Sequence, residues 1–130
     1  MPHDTPHVLL LEEEPVLGEI TAFRLELLGY RVTCVHSGED LLKQLIDQTP
    51  DLMIVDTFVP DMNSGELINR ITSDSRYGHI PVLVFSIDAD LEAVQKAFAA
   101  GAKDYLVIPY DPAILERKVE SLLDHSIAKR

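Results

Sequence analysis

The sequence predicts one α/β domain built on a doubly wound parallel sheet. Three observations predict it. Short apolar runs recur along the 130 residues. Each run is followed by a stretch of helical periodicity, and the connections between them are brief. Continuous apolar runs, as opposed to alternating ones, suit strands buried on both faces. Strands that alternate with helices pack into a parallel sheet with helices on either side. A chain of this length can bury one such two-sided core.

The elements follow in order. Val8 to Leu11 forms the first strand, and Leu17, Ile20, Phe23, Leu27 and Leu28 share the apolar face of the first helix. Gly29 ends that helix at the C′ position. A weaker run, Arg31 to Val35, gives the second strand. Ser37 then caps a helix whose face is Leu41, Leu42, Leu45 and Ile46. Leu52 to Val55 is the third strand, followed by a helix facing inward through Leu67, Ile68 and Ile71. Val82 to Phe85 is the fourth. Asp88 is the expected cap of the next helix, which carries Leu91, Val94 and Phe98 and stops at Gly101. Phe98 is expected in the core. Tyr105 to Ile108 is the fifth strand, and Asp111-Pro112 reads as N-cap and N1 of a last helix facing inward through Leu115, Val119 and Leu122. Residues 1–130 read as a single domain with its core from about 7 to 125. The first six residues and about the last five read as loose ends.

Composition narrows the function classes. With 22 acids against 11 bases, the net charge of −11 repels nucleic acid phosphates and anionic lipid, so direct DNA or RNA binding is not expected. Cys34 is the lone cysteine, which leaves no intrachain disulfide. The N-terminus lacks the basic and apolar regions of a signal peptide, and no apolar run reaches the roughly 20 residues of a membrane span. The expected location is cytoplasmic. The five histidines, His3, His7, His36, His79 and His125, show no metal-ligand spacing.

In open α/β sheets the ligand site lies beyond the carboxyl ends of the strands. Glu12-Glu13-Glu14 follows the first strand, Asp56 the third, Ser86 the fourth and Pro109-Tyr110 the fifth. Each has an ordinary reading alone: the glutamates as a solvated run favoured by a helix N-terminus, Asp56 as a turn residue, Ser86 as a cap. Together, on the correct strands, they make a site. Carboxylates converging on one edge raise one another's pKa or recruit a cation. Hard oxygen ligands favour Mg²⁺, which keeps several waters.

These residues resemble the receiver domain of two-component response regulators, over about His7 to His125. The first strand ends VLLLEEEP, with Glu12 and Glu13 in the acidic-pair positions, and DLMIVD ends on Asp56, at the phosphoacceptor position. Pro60 follows four residues later, PVLVFS places Ser86 at the Ser/Thr position, and AGAKDYLVIPY places Tyr105 at the switch aromatic. The resemblance implies a flavodoxin-like (βα)5 fold with strand order 2-1-3-4-5. It implies that Asp56 takes a phosphoryl group from a sensor histidine kinase or a phosphotransfer protein. Glu12, Glu13 and Asp56 would hold Mg²⁺, and Ser86 would bind the phosphate. It further implies a downstream protein partner on the Val94, Phe98, Lys103 and Tyr105 face, and it is compatible with a homodimer. The chain would be a signalling domain, not an enzyme.

The departures from the pattern fall on the chemistry. The lysine expected before the proline is Ile108, the small residue after the Ser/Thr is Ile87, and the second acid is Glu13 where Asp is usual. The glycine expected eight residues after the acceptor is Ser64. Ile108 is expected to pack against Ile87, forming an apolar wall that raises the carboxylate pKa values and weakens metal binding. The alternative reading is a pseudo-receiver, a phosphorylation-independent interaction module. A haloacid dehalogenase-type phosphohydrolase is rejected, because Asp56-Thr57-Phe58 lacks the Asp-x-Asp pattern and follows the third strand. A nucleotide-binding flavodoxin-like protein is rejected because Glu12 to Glu14 would repel phosphates.

Overall fold

The apolar runs become strands because they are short, rich in Leu, Val and Ile, and bounded by turn residues. The computed structural model describes residues 5–128, with side chains described through residue 124; the expected loose ends lie mostly outside these residues. Strands β1 (His7–Leu11), β2 (Arg31–Val35), β3 (Leu52–Asp56), β4 (Val82–Ser86) and β5 (Asp104–Val107) alternate with five helices. These are α1 (Pro15–Leu27), α2 (Gly38–Asp47), α3 (Ser64–Thr72), α4 (Leu91–Ala100) and α5 (Pro112–Ala128). The sheet is parallel throughout, in the expected order β2-β1-β3-β4-β5.

Successive side chains along a strand point to opposite faces, so each central strand feeds two cores. Leu9, Leu11, Met53, Val55 and Val84 face one layer, closed by Leu41 and Leu45 of α2 and by Leu67 and Ile71 of α3. Leu10, Ile54, Leu83 and Phe85 face the other, closed by Leu25 of α1 and by Leu115, Val119 and Leu123 of α5. Every residue of β1, β3 and β4 is buried, as continuous apolar runs require.

The first helix presents a different face from the one expected. Gly18, Thr21 and Leu25 are its buried residues, whereas Ile20, Phe23, Leu27 and Leu28 are exposed. The cause is close packing: a Cβ at Gly18 would come within 3.1 Å of Cys34 Sγ on β2. Helix and sheet approach too closely at Gly18 for a side chain there, so this turn faces inward through Gly18 and Thr21. Leu25 closes the core two turns on, and the apolar residues of the other side turn to solvent. On α4, too, Ala97 is the buried residue, and Leu91 and Phe98 are exposed, which corrects the expected core position of Phe98. On α2, Ile46 points outward, and on α5 Leu123 is fully buried while Leu122 is only partly so.

The helix boundaries are set largely by side chains. Ser37 Oγ accepts from the Asp40 amide at the start of α2, as expected. Asp61, from the loop after β3, also caps α2, accepting from the Gly38 and Glu39 amides at 2.8 and 3.0 Å. Asp90, not Asp88, is the N-cap residue of α4; Asp88 instead accepts from the Asp90 amide in a local turn. Asp111 and Pro112 open α5 as expected, with Asp111 accepting from the Ala113 amide.

Gly101 ends α4 with φ of 120°, and a Cβ there would collide with the Thr72 side chain of α3. The left-handed backbone and the collision act together. Gly101→Ala is expected to lower unfolding stability by about 2 kcal/mol, read by equilibrium urea denaturation. An unchanged urea midpoint would mean that the α3–α4 contact relaxes freely.

Candidate functional site

The run Glu12-Glu13-Glu14 separates into three roles where β1 hands the chain to α1. Glu12 is 2% exposed, although it is a charged residue beyond a strand end. Its Oε2 accepts from the Glu14 amide at 3.1 Å, and its Oε1 is buried with no hydrogen-bond partner among the described residues. Glu13 is exposed. Glu14 caps α1, accepting from the Val16 and Leu17 amides at 3.2 and 2.7 Å. Only this third glutamate follows the ordinary helix-terminus reading.

Asp56 ends β3 between β1 and β4, at the centre of the sheet edge. It is 7% exposed, and its Oδ1 accepts from the Phe58 amide at 2.7 Å. Glu12, Glu13 and Asp56 line one cavity of about 400 Å³. Burial pushes the Glu12 carboxyl up to about 8. The neighbouring Asp56 carboxyl and the charge of Glu13 add to the rise, and the Glu14 amide opposes it. With no cation present, Glu12 therefore holds a proton near neutral pH.

Glu14, Leu17, Thr57, Phe58, Ile87 and Ile108 complete the lining. Ile87 is 83% exposed and leans out at the rim. Ile108 is half-buried, packed against the core layer beneath α1 and α5. The two isoleucines thus line the cavity without filling it. The expected wall of Ile108 packed against Ile87 is corrected, because Ile87 stands in solvent; the rise falls on Glu12 and comes first from its own burial.

Ser86 occupies the expected strand end but is not among the residues lining the cavity. It is 2% exposed, and its Oγ accepts from the Asp88 amide at 3.0 Å and from the Thr57 hydroxyl at 3.1 Å. Thr57 is the hydroxyl that lines the cavity. Sequence reasoning did not single it out, although its place directly after Asp56 was a usable signal.

Tyr105 is not on an open surface. It is 8% exposed, and its hydroxyl donates to the Asp88 carbonyl at 2.7 Å, tying β5 to the loop after β4. Val94 packs against the core. Of the expected partner face, Phe98 and Lys103 are the members that reach solvent. Ser64 begins α3 and lines a separate cavity of about 250 Å³ between α3 and α4, with Thr57 and Lys96.

The donors fit a hard divalent cation. Four acidic residues line one cavity, Glu14 among them though engaged as the α1 cap; Glu12 carries a buried oxygen without a hydrogen bond among the described residues, and room remains for several waters. Among the described residues no three acidic, histidine or cysteine side chains already converge on one point as ligands. The cation would therefore have to draw the carboxylates together.

The chain matches the response regulator receiver domain over residues 8–120. It is 32% identical over 120 residues to the transcriptional regulatory protein CseB of Streptomyces coelicolor, covering 92% of this chain and 50% of that protein. The chain thus spans about half the length of this curated relative. Among solved structures, a response regulator from Chloroflexus aurantiacus J-10-fl superposes with a TM-score of 0.89 at 28% identity, covering 93% of this chain and 99% of that one. The receiver domain of the sensor histidine kinase PA1611 from Pseudomonas aeruginosa PAO1 superposes with a TM-score of 0.84 at 25% identity, covering 92% and 98%. That structure holds a magnesium ion coordinated in its active site cleft. Strand order, the placement of the acids and this family match agree: the chain belongs to the response regulator receiver domains of two-component phosphorelay signalling.

Proposed function

We propose that Asp56 is the phosphoacceptor of this domain and that Glu12, Glu13 and Asp56 hold Mg²⁺ beside it. The observation that carries this reading is the open cavity of about 400 Å³ at Asp56, lined by the acids and by both isoleucines and filled by neither isoleucine. An Asp56 carboxylate oxygen attacks the phosphorus of a phosphohistidine or a small acyl phosphate. The P–N or P–O bond to the donor breaks, and its electron pair leaves with the donor. Phosphoryl transfer depends chiefly on positioning and charge stabilisation. Mg²⁺ would supply countercharge to the transferring group. The chain's own residues aim the acceptor: the Phe58 amide fixes Asp56 Oδ1, and Thr57 lines the wall with its hydroxyl.

The donor is a sensor histidine kinase or a phosphotransfer protein. Phe58, 60% exposed, and Ile87 offer it an apolar rim. Once phosphorylated, Ser86 turns from Thr57 and the Asp88 amide toward the phosphoryl group. The loop that Tyr105 holds then moves, which changes the Phe98 and Lys103 surface presented to a downstream protein. The domain acts as substrate and switch, not as an enzyme. The phosphorylation-independent reading loses ground because neither isoleucine blocks the acceptor.

The test is intact-mass analysis after incubation with acetyl phosphate and Mg²⁺. The expected result is a gain of one phosphoryl group that needs the metal and is absent from Asp56→Asn. No gain under conditions that label an ordinary receiver would overturn the proposal.

A further inference from the structure

Ser86 starts from an occupied position. Its Oγ accepts from the Thr57 hydroxyl at 3.1 Å and from the Asp88 amide at 3.0 Å. A hydroxyl oxygen has two lone pairs, so both acceptor sites are filled. The backbone does not release it, because the Ile108 amide donates to the Ser86 carbonyl at 2.9 Å at the end of β4. To donate to a phosphoryl oxygen, the side chain has to turn about its Cα–Cβ bond and give up the bond from Thr57.

Thr57 is placed to resist that turn. Asp56 lies opposite Phe85 across the β3–β4 ladder, and the Thr57 amide donates to the Phe85 carbonyl at 2.8 Å. This backbone bond sets Thr57 beside Ser86. The β-branched side chain has few rotamers, which keeps the hydroxyl where the backbone puts it. Thr57 is exposed, lining both the acidic cavity and the separate one between α3 and α4. Its hydroxyl has open space on either side, yet it donates inward to Ser86. Asp88 fastens the far end, with its amide on Ser86 and its carbonyl accepting from the Tyr105 hydroxyl. Thr57, Ser86, Asp88 and Tyr105 thus form one hydrogen-bonded chain from the residue after Asp56 to β5.

We infer, on the reading of Asp56 as phosphoacceptor, that Thr57 is a positioning residue: it latches Ser86 at rest and sets how readily phosphorylation switches the domain. A ligand that needs the turned Ser86 binds with an apparent affinity reduced by the fraction of molecules already turned. The latch lowers that fraction. Removing the Thr57 hydroxyl leaves one lone pair of the buried Ser86 without its donor, which favours the turn. No described residue of the cavity lining is cationic, so the lining does nothing to offset the latch once a phosphoryl group arrives.

The test is titration of the full chain with beryllofluoride, a phosphoryl mimic, at fixed Mg²⁺. Amide hydrogen exchange at Asp88 is followed in parallel on the unliganded protein. Thr57→Val keeps the branched shape at an exposed position and removes the hydroxyl. It is expected to tighten beryllofluoride binding about fivefold and to speed Asp88 exchange by a similar factor, as loss of one hydrogen bond between neutral groups implies. Thr57→Ser keeps the hydroxyl and is expected to stay near wild type in both. In a Ser86→Ala background Thr57→Val is expected to change neither, because nothing remains to be held. Unchanged or weaker beryllofluoride binding by Thr57→Val overturns the inference, the weaker case meaning that the hydroxyl contacts the phosphoryl group itself. So does an equal gain in the Ser86→Ala background, or Thr57→Ser behaving like Thr57→Val. If no form binds beryllofluoride, the phosphoacceptor reading fails separately. The Asp88 exchange rates then decide the latch alone: faster exchange in Thr57→Val supports it, and unchanged exchange overturns it.

Discussion

Replacing Ile108 with lysine is expected to speed labelling by acetyl phosphate about a hundredfold. The acids Glu12, Glu13 and Asp56 line the cavity, and none of its described lining residues is cationic. An incoming phosphoryl group therefore meets carboxylates and Ile108 with no cationic side chain of the lining to offset its charge. Ile108 is half-buried, so a lysine stem can lie where the isoleucine packs while its ammonium reaches the cavity. One preorganised contact to the transferring group is worth about two orders of magnitude in rate. The nearby Lys103 does not supply it, being exposed and absent from the cavity wall. Labelling rates of wild type and Ile108→Lys, followed by intact mass under the same Mg²⁺ and donor concentrations, decide the matter. Equal rates would mean that this wall does not face the transferring phosphoryl group.

The second large effect is on stability in the absence of metal. The Glu12 carboxyl is raised from 4.5 to about 8 in the folded chain. Between those values the unfolded chain has released the proton and the folded chain retains it, so stability falls as pH rises through the window. The contribution is complete below the unfolded value and is lost by about pH 8. His7 complicates the lower half, because burial lowers its pKa below 6.5 and its contribution rises toward that pH. Asp74, held near 2 chiefly by its hydrogen bond to Arg76, acts only below the window; Cys34 and Tyr30, raised by burial from 9.0 and 10.0, act above it. From pH 6.5 to 8 the fall thus belongs to Glu12. One proton over that span is worth at most about 2 kcal/mol. The melting temperature in chelator should drop across it, and Glu12→Gln should flatten the drop. Added Mg²⁺ should offset the fall, with an affinity that rises with pH as Glu12 ionises. A metal-free melting temperature that rises from pH 6.5 to 8 would contradict the protonated Glu12.

The strands were legible because a continuous apolar run such as Leu52 to Val55 suits burial on both faces of a parallel sheet, and their order was implied by the receiver resemblance. The acidic edge was legible for the same reason, since Asp56 and Ser86 end such strands and Glu12 directly follows one. The orientation of α1 was not. Its apolar residues mark a stripe, but hydrophobicity alone cannot say whether a stripe faces the sheet. The deciding fact was the closeness of Gly18 to Cys34, a relation between distant residues. Phe98 was misplaced similarly, with the small Ala97 taking the inward position on α4. Hydrogen-bond partners were beyond reach as well. The sequence places Tyr105 on β5, but only the fold turns its hydroxyl onto the Asp88 carbonyl. It places Ser86 at a strand end, and only the fold puts Thr57 between its hydroxyl and the cavity.

The central claim is that a receiver cavity without its lysine still brings phosphate to Asp56. Borohydride reduction of acetyl phosphate-treated protein tests it most directly, because it converts an acyl phosphate of aspartate to homoserine and leaves other aspartates intact. Peptide mapping should find homoserine at position 56, dependent on Mg²⁺ during labelling and absent when acetyl phosphate is omitted. An unmodified Asp56, or homoserine at another aspartate, would contradict it.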